Sequence, residues 1–224
     1  MIATAVILAA GSGGRMQMET NKILLPIGGQ PLICRTVSAF TQVDAIDEIV
    51  LVVCPNEAEA IMTLIQPLHP RIRFVEGGAT RRDSALAGVQ AASGDIVLIH
   101  DGARPFLTQA LIRNVLAETQ REKAVIPVLP ITDLVHRLVP GRGSITDIHD
   151  SGGPLARAQT PQGFERELIL RCLAAAPAKI RDDASAVLLS GNKVSTIAGE
   201  RTNIKITRND DLPLAEAIAA FLSS

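Results

Sequence analysis

Strand-length apolar runs alternate along this chain with segments whose apolar residues recur at helical spacing. The runs span residues 3–8, 48–53, 71–75, 96–99 and 124–128. The helical segments between them span residues 31–40, 57–65, 83–92 and 109–122. Parallel strands need long crossover connections and are buried on both faces, so this alternation predicts an α/β fold with a mostly parallel sheet covered by helices.

The alternation stops in the segment 132–158, where glycines and a proline interrupt polar residues. This segment predicts an extended arm that projects from the domain and has no core of its own. Beyond it we expect helices at 163–175, 183–189 and 210–222 and strands at 193–197 and 203–206. The prediction is one domain spanning residues 1–224, with residues 132–158 as an arm within it.

Composition and charge exclude several classes of protein. The chain has 224 residues, 47% of them hydrophobic, which is enough for a substantial core. A net charge of −1 and the absence of Trp and Tyr argue against a nucleic-acid partner. No apolar run approaches the roughly 20 residues of a membrane span, and we find no signal-peptide pattern, so we expect a cytoplasmic location. The three cysteines are widely spaced and predict buried small apolar residues, not a zinc site or disulfides.

The loop after the first run carries a glycine-rich turn and two cations. Gly11, Gly13 and Gly14 allow backbone N–H groups to approach an anion, and Arg15 and Lys22 follow. The loop is neither a dinucleotide fingerprint, which would need glycine at Met16, nor a Walker A loop, because no Gly-Lys-Ser/Thr follows. Cations beside such a turn suit the charge of a transferring phosphoryl group.

Five stretches together are similar to a known family. They are "LAAGSGGRM" at 8–16 with Lys22, "GGATRRDS" at 77–84, "HDGARPF" at 100–106, "QTPQGF" at 159–164 and "NIKIT" at 203–207. In this order they resemble the 2-C-methyl-D-erythritol 4-phosphate cytidylyltransferases of the non-mevalonate isoprenoid pathway. The resemblance covers nearly the whole chain and implies a Rossmann-like, three-layer domain of the nucleotide-diphospho-sugar transferase type, with a mixed sheet and a β-arm.

The resemblance also implies roles on the nucleotide side of the site. The residues that it implies bind CTP are Ala9, Ala10, Gly11, Gly13, Gly78, Ala79, Ser84 and Gly102. Arg15, Lys22 and Lys205 are implied as catalytic, the first two by stabilising charge on the α-phosphate and the departing pyrophosphate. Asp101 is implied to help hold Mg²⁺, since this hard cation prefers carboxylate, phosphate and water ligands, although a loop-ordering role remains open.

The acceptor side is implied to involve Arg104, Asp133, Gly152, Thr160 and Lys205. A phosphate oxygen of the acceptor would attack the α-phosphorus of CTP. That phosphate is already ionised near neutral pH, so no strong base is needed. We therefore expect His100 to be a packed or hydrogen-bonded residue at a strand end, not a catalytic one.

Three positions depart from the family pattern on the acceptor side. Leu134 stands where the family has threonine, Gly152 where it has arginine, and Arg181 where threonine is usual. In the family the arm crosses to a second subunit, so the resemblance implies a homodimer. Besides transfer to the methylerythritol phosphate, two alternatives stay open: transfer of cytidylate to another polyol phosphate such as ribitol 5-phosphate, and a non-catalytic dimeric paralogue.

Overall fold

A computed structural model describes residues 1–11, 21–67, 72–138, 145–148 and 153–223. The helices are α1 (Leu32–Thr41), α2 (Ala58–Ile65), α3 (Arg81–Ala91), α4 (Gln109–Glu122), α5 (Arg166–Ala175), α6 (Asp183–Leu189) and α7 (Asp211–Ser223). The strands of the main sheet are β1 (Ala3–Leu8), β4 (Glu48–Val53), β5 (Ile72–Glu76), β6 (Ile96–Asp101), β7 (Ala124–Pro130), β10 (Ala156–Ala158), β11 (Gln162–Glu165) and β12 (Ser195–Ala198). The remaining strands are β2 (Pro26–Ile27), β3 (Gln30–Pro31), β8 (His136–Leu138) and β9 (Ile145–Ile148).

The main sheet has the strand order β10-β7-β11-β6-β1-β4-β5, with β12 paired to β7. Strands β6, β1, β4 and β5 are mutually parallel, and β12 is parallel to β7. Strand β11 is antiparallel to both of its neighbours, β6 and β7. The sheet is therefore mixed but mostly parallel, as predicted.

The central strands are buried on both faces. Ala5 and Ile7 of β1 belong to one apolar cluster with α1, α2, α4 and α7, whereas Val6 belongs to a second with α3, α5 and α6. Successive side chains of a strand point to opposite faces, so this division gives three layers, helices–sheet–helices. Cys34 and Cys172 lie in these cores as predicted, while Cys54 is half-buried.

Two sequence predictions of secondary structure are wrong. The helix expected to begin at residue 163 begins at Arg166 instead, because residues 163–165 belong to β11. These residues are extended because they pair with β6, and Gly163 and Phe164 pair with β7 as well. The strand expected at 203–206 is also absent, as these residues pair with no strand in the described part of the chain. Instead the Ile206 N–H donates to the Ala103 carbonyl at 3.0 Å.

The segment 132–158 has extended structure where it is described. Strands β8 and β9 pair antiparallel in a small sheet of their own, and β10 returns to the main sheet beside β7. Gly152 and the loop glycines 141 and 143 lie outside the described residues. Among the helices that are described, none combines the length and apolar character required to cross a bilayer.

Candidate active site

A cavity of about 560 Å³ opens where β1, β5 and β6 end. Its described lining comes from five places in the chain: residues 8–11 at the end of β1, Lys22 and Ile23, residues 78–81 with Ser84 around the start of α3, residues 101–103, and Lys205. Ligands of parallel α/β sheets bind beyond the carboxyl ends of the strands, and this volume is typical of a small-molecule site.

The first part of the lining is the backbone that follows β1. The Ala9 N–H donates to the Val52 carbonyl at 2.7 Å, which fixes the exit of the strand. Asn21 is buried, and its side-chain amide donates to the Gly11 carbonyl at 3.1 Å and to Glu57 at 2.6 Å. Asn21 therefore joins the two ends of the glycine-rich loop and places Lys22 at the cavity. Gly13 and Arg15, both predicted site residues, lie outside the described residues.

The second part is the turn before α3. The Gly78 N–H donates to the Ser84 hydroxyl at 3.1 Å, and that hydroxyl donates to the Thr80 carbonyl at 3.0 Å. A side chain at Gly78 would clash, because its Cβ would lie 2.3 Å from the Cβ of Asp83. Thr80 and Asp83 cap the helix reciprocally, at 3.1 and 3.2 Å. Ser84 thus holds the backbone of a tight turn against the cavity.

Asp101 lies at the end of β6 with three cations around its carboxylate. Lys205 Nζ is 2.8 Å from Oδ2, Arg104 Nε is 3.4 Å from Oδ2 and Arg81 Nη2 is 3.5 Å from Oδ1. Burial raises the pKa of Asp101, but the positive charges of Lys205, Arg81 and Arg104 outweigh that effect and hold it well below its ordinary range. The carboxylate is therefore ionised throughout the physiological range.

Lys205 reaches the cavity because alternate side chains of its segment point in opposite directions. Ile204 and Ile206 pack against the core, and Lys205 between them lies at the cavity with its side chain 32% exposed. The Arg104 guanidinium also anchors this segment, since its Nη1 donates to the Asn203 carbonyl at 2.8 Å. These contacts bring together residues that are about a hundred positions apart in sequence.

His100 and Thr160 form a buried chain of hydrogen bonds beneath Asp101. The Asp101 N–H donates to the Thr160 hydroxyl at 3.1 Å, and this hydroxyl lies 3.0 Å from Nδ1 of His100. Nε2 of His100 lies 3.0 Å from the Arg104 carbonyl. Burial lowers the pKa of His100 to about 4, so the ring is neutral, with Nε2 as the donor and Nδ1 as the acceptor. His100 is a hydrogen-bonded strand residue, as expected.

The cavity gathers most, but not all, of the predicted site residues. Those lining it are Ala9, Ala10, Gly11, Lys22, Gly78, Ala79, Ser84, Asp101, Gly102 and Lys205. Arg104 and Thr160 support Asp101 and are not among the described residues of the lining. Asp133 is exposed in the segment after β7, and Gly152 lies outside the described residues.

Sequence reasoning missed Asn21, Thr80 and Arg81. The Thr-x-x-Asp spacing of 80–83 is a capping signal and could have placed the helix start two residues earlier. Asn21 and Arg81 carry no such signal, because their partners Gly11, Glu57 and Asp183 are distant in sequence. The three-layer fold and this cation-bearing cavity are typical of α/β proteins that bind a small anionic ligand.

Comparison with known proteins narrows this class. The family model described as 2-C-methyl-D-erythritol 4-phosphate cytidylyltransferase matches residues 3–220. A protein of that name from Prochlorococcus marinus (strain MIT 9313) is 39% identical over 221 residues, covering 96% of this chain and 97% of that protein. One from Escherichia coli O1:K1 / APEC is 41% identical over 219 residues, covering 95% and 91%. The crystal structure of the Thermus thermophilus protein of that name has a TM-score of 0.79 at 34% identity, covering 98% of this chain and 100% of that one.

The chain belongs to the 2-C-methyl-D-erythritol 4-phosphate cytidylyltransferase family. This family consists of nucleotidyltransferases, and the resemblance found in the five sequence motifs is confirmed. Neither a cytidylyltransferase for another polyol phosphate nor a non-catalytic paralogue is favoured by these matches.

Proposed function

We propose that this chain transfers the cytidylyl group of CTP to 2-C-methyl-D-erythritol 4-phosphate and releases pyrophosphate. The observation that carries the proposal is that Lys22, Asp101 and Lys205 line one nucleotide-sized cavity at the carboxyl edge of the sheet. Membership in the family supports the same reaction.

The nucleotide side of the cavity is built largely from backbone. The lining residues 9–11 and 78–79 are all alanine or glycine, so no long side chain covers their main chain, and Ser84 fixes the second of these stretches. Backbone donors and acceptors at fixed positions discriminate a pyrimidine edge from a purine by leaving polar groups unpaired when the wrong base is bound. We therefore assign the cytosine and ribose to the turn before α3.

The chemistry at phosphorus requires alignment and charge neutralisation. A phosphate oxygen of the acceptor forms a bond to the α-phosphorus while the bond to pyrophosphate breaks. Lys22, together with Arg15, is assigned to the negative charge that develops there, and Lys205 to the acceptor's phosphate. His100 takes no part as a base, since it is fully buried and both ring nitrogens are hydrogen-bonded.

The donor set at Asp101 fits a magnesium ion bound in part by substrate. Within the described residues no group of three or more His, Cys, Asp or Glu side chains could hold a metal. One ionised carboxylate in a polar cavity is nevertheless typical of Mg²⁺, which takes its other ligands from triphosphate oxygens and water. When bound, Mg²⁺ would neutralise charge on the triphosphate and the leaving pyrophosphate. Asp101 would hold it.

Assembly and location are also proposals. We expect a homodimer formed through the segment 132–158. In this segment β8 and β9 form a small sheet of their own, and Leu134 has 86% of its surface exposed. A two-stranded sheet is at best marginally stable on its own, so packing against a second chain would stabilise this arm. We expect the protein to act in the cytoplasm.

Purified protein assayed with CTP and Mg²⁺ tests the reaction. We expect pyrophosphate release with 2-C-methyl-D-erythritol 4-phosphate and much slower release with ribitol 5-phosphate. Equal or faster turnover of the ribitol compound would instead support the alternative acceptor, for which Leu134 and Gly152 are the motivating residues. Absence of release with either compound would remove the proposed function.

A further inference from the structure

A fully buried carboxylate lies behind the wall of the cavity. Asp183 is the first residue of α6 and has none of its surface exposed, 0%. Both of its oxygens accept from the guanidinium of Arg81, with Nη1 at 2.8 Å from Oδ1 and Nη2 at 2.8 Å from Oδ2. This is a parallel, bidentate ion pair between residues 102 positions apart, and its geometry fixes the plane of the guanidinium.

Stability alone is a weak reason for such a pair. The cost of removing two charges from water often equals or exceeds their attraction, and apolar residues of similar size are commonly as stable. A bidentate pair does, however, fix the orientation of the guanidinium, here against a carboxylate that is fully buried. The relevant question is therefore what the fixed guanidinium holds in place.

Arg81 faces the cavity on its other side. It is among the residues lining the cavity, and the same Nη2 that binds Asp183 lies 3.5 Å from Oδ1 of Asp101. The second oxygen of Asp101 is held by Lys205 at 2.8 Å. Contacts to both of its oxygens thus restrain the Asp101 carboxylate. The contact to Oδ1 comes from Arg81, whose guanidinium is held by Asp183.

We propose that Arg81 and Asp183 are positioning residues for the transfer reaction: Asp183 fixes the Arg81 guanidinium, which sets the orientation of the Asp101 carboxylate in the cavity. The inference rests on the proposed function, in which Asp101 faces the metal-bound triphosphate. Partners that orient a ligand-bearing group lower activity or metal affinity by about 10- to 100-fold when removed.

The variant Asp183→Asn keeps the size of the side chain and removes its charge. We expect kcat with CTP and the methylerythritol phosphate to fall by about 10- to 100-fold, while the Kd for CTP measured by calorimetry without metal changes by less than about threefold. A crystal structure of the variant should show Nη2 of Arg81 displaced from Asp101. Arg81→Lys, which keeps the charge but loses the planar fork, should lose activity to a similar extent.

The matched control is Glu48→Gln at the opposite edge of the sheet. Glu48 begins β4, pairs with Arg73 at 3.6 Å and accepts hydrogen bonds from Thr4 and Ser93. This variant should lower the thermal unfolding midpoint while leaving kcat within about twofold of the wild type, which separates lost stability from lost positioning.

Several results would overturn the proposal. One is a folded Asp183→Asn protein with an unchanged kcat, and another is an Arg81→Lys protein as active as the wild type. If Asp183→Asn does not fold, Arg81→Lys decides between the outcomes. A wild-type protein with no turnover would instead reject the proposed function, and the positioning role with it.

Discussion

His100 illustrates how a residue inside a functional motif can serve the fold instead of the reaction. Its ring contacts the Arg104 carbonyl and the Thr160 hydroxyl, and its edge packs on Phe40 with ring centroids 5.2 Å apart. Through Thr160 it fixes the backbone N–H of Asp101. The residue is thereby a support for the carboxylate at the end of β6.

His100 should contribute to the way the free energy of unfolding changes with pH. Burial lowers the pKa of His100 to about 4 in the folded state, whereas an unfolded histidine titrates near 6.5. Between these values the unfolded chain binds more protons, so stability falls as the pH is lowered from about 6.5 to 4. The contribution of His100 to this loss is at most about 3 kcal/mol. Denaturant unfolding of His100→Gln should show a flatter pH dependence over this window than the wild type, and an identical slope would contradict the assignment.

Lys22 should affect chemistry more than binding. It lines the cavity, and its charge is assigned to the developing negative charge at phosphorus. We expect Lys22→Ala to lower kcat by about 100-fold or more, with a smaller change in the Kd for CTP. Lys193→Ala is a suitable control because that lysine is 83% exposed and pairs with Glu122 on the surface. A Lys22→Ala protein that retains the wild-type kcat would remove Lys22 from the mechanism.

Elements of secondary structure differ in how well the sequence predicts them. The strands β1 and β4 and the helix α4 begin and end where the apolar pattern predicted, because each contributes a regular period to the core. The predictions for residues 163–165 and 203–206 are wrong. Residues 163–165 pair with the distant strands β6 and β7, and residues 203–206 are held by hydrogen bonds to the loop after β6. The glycine turns and Lys22 of the site could be predicted from local motifs. Arg81 could not, because its ion pair forms only when α3 and α6 pack near each other.

The start of α3 should couple helix stability to nucleotide binding. Thr80 and Thr108 both cap helices with their hydroxyl groups, but only Thr80 lines the cavity. Either threonine replaced by alanine should lower the free energy of unfolding by about 1 kcal/mol or more. Thr80→Ala alone should also weaken CTP binding in calorimetry, because the turn that holds Gly78 and Ala79 loosens. Equal CTP affinities of the two variants would indicate that this turn does not contact the nucleotide.

At the scale of the whole molecule, one mixed sheet joins motifs from the entire chain. The loop after β1, the turn before α3 and the end of β6 converge because parallel strands end at the same edge of the sheet. The segment 203–206 joins them through hydrogen bonds to the loop after β6. The resemblance of the motifs to one family implied that they share a site. In the proposed function the acceptor side involves residues 132–158, of which Leu134 is exposed and Gly152 lies outside the described residues.

The proposed dimer predicts a definite mass. Sedimentation equilibrium at micromolar concentration should give twice the 23.7 kDa of one chain. Substitution of the exposed Leu134 by aspartate should weaken association while leaving the helical content unchanged, because charged groups are disfavoured in the covered centre of an interface. A single-chain mass for the wild type would contradict the dimer.

A crystal structure of the protein with CTP and Mg²⁺ is the most direct test of the central claim, that the cavity at the carboxyl edge of the sheet binds the reacting nucleotide. We predict the cytosine against residues 78–80, the triphosphate beside Lys22 and the metal within coordination distance of Asp101. CTP bound elsewhere on the protein, with this cavity empty of nucleotide, would contradict the account.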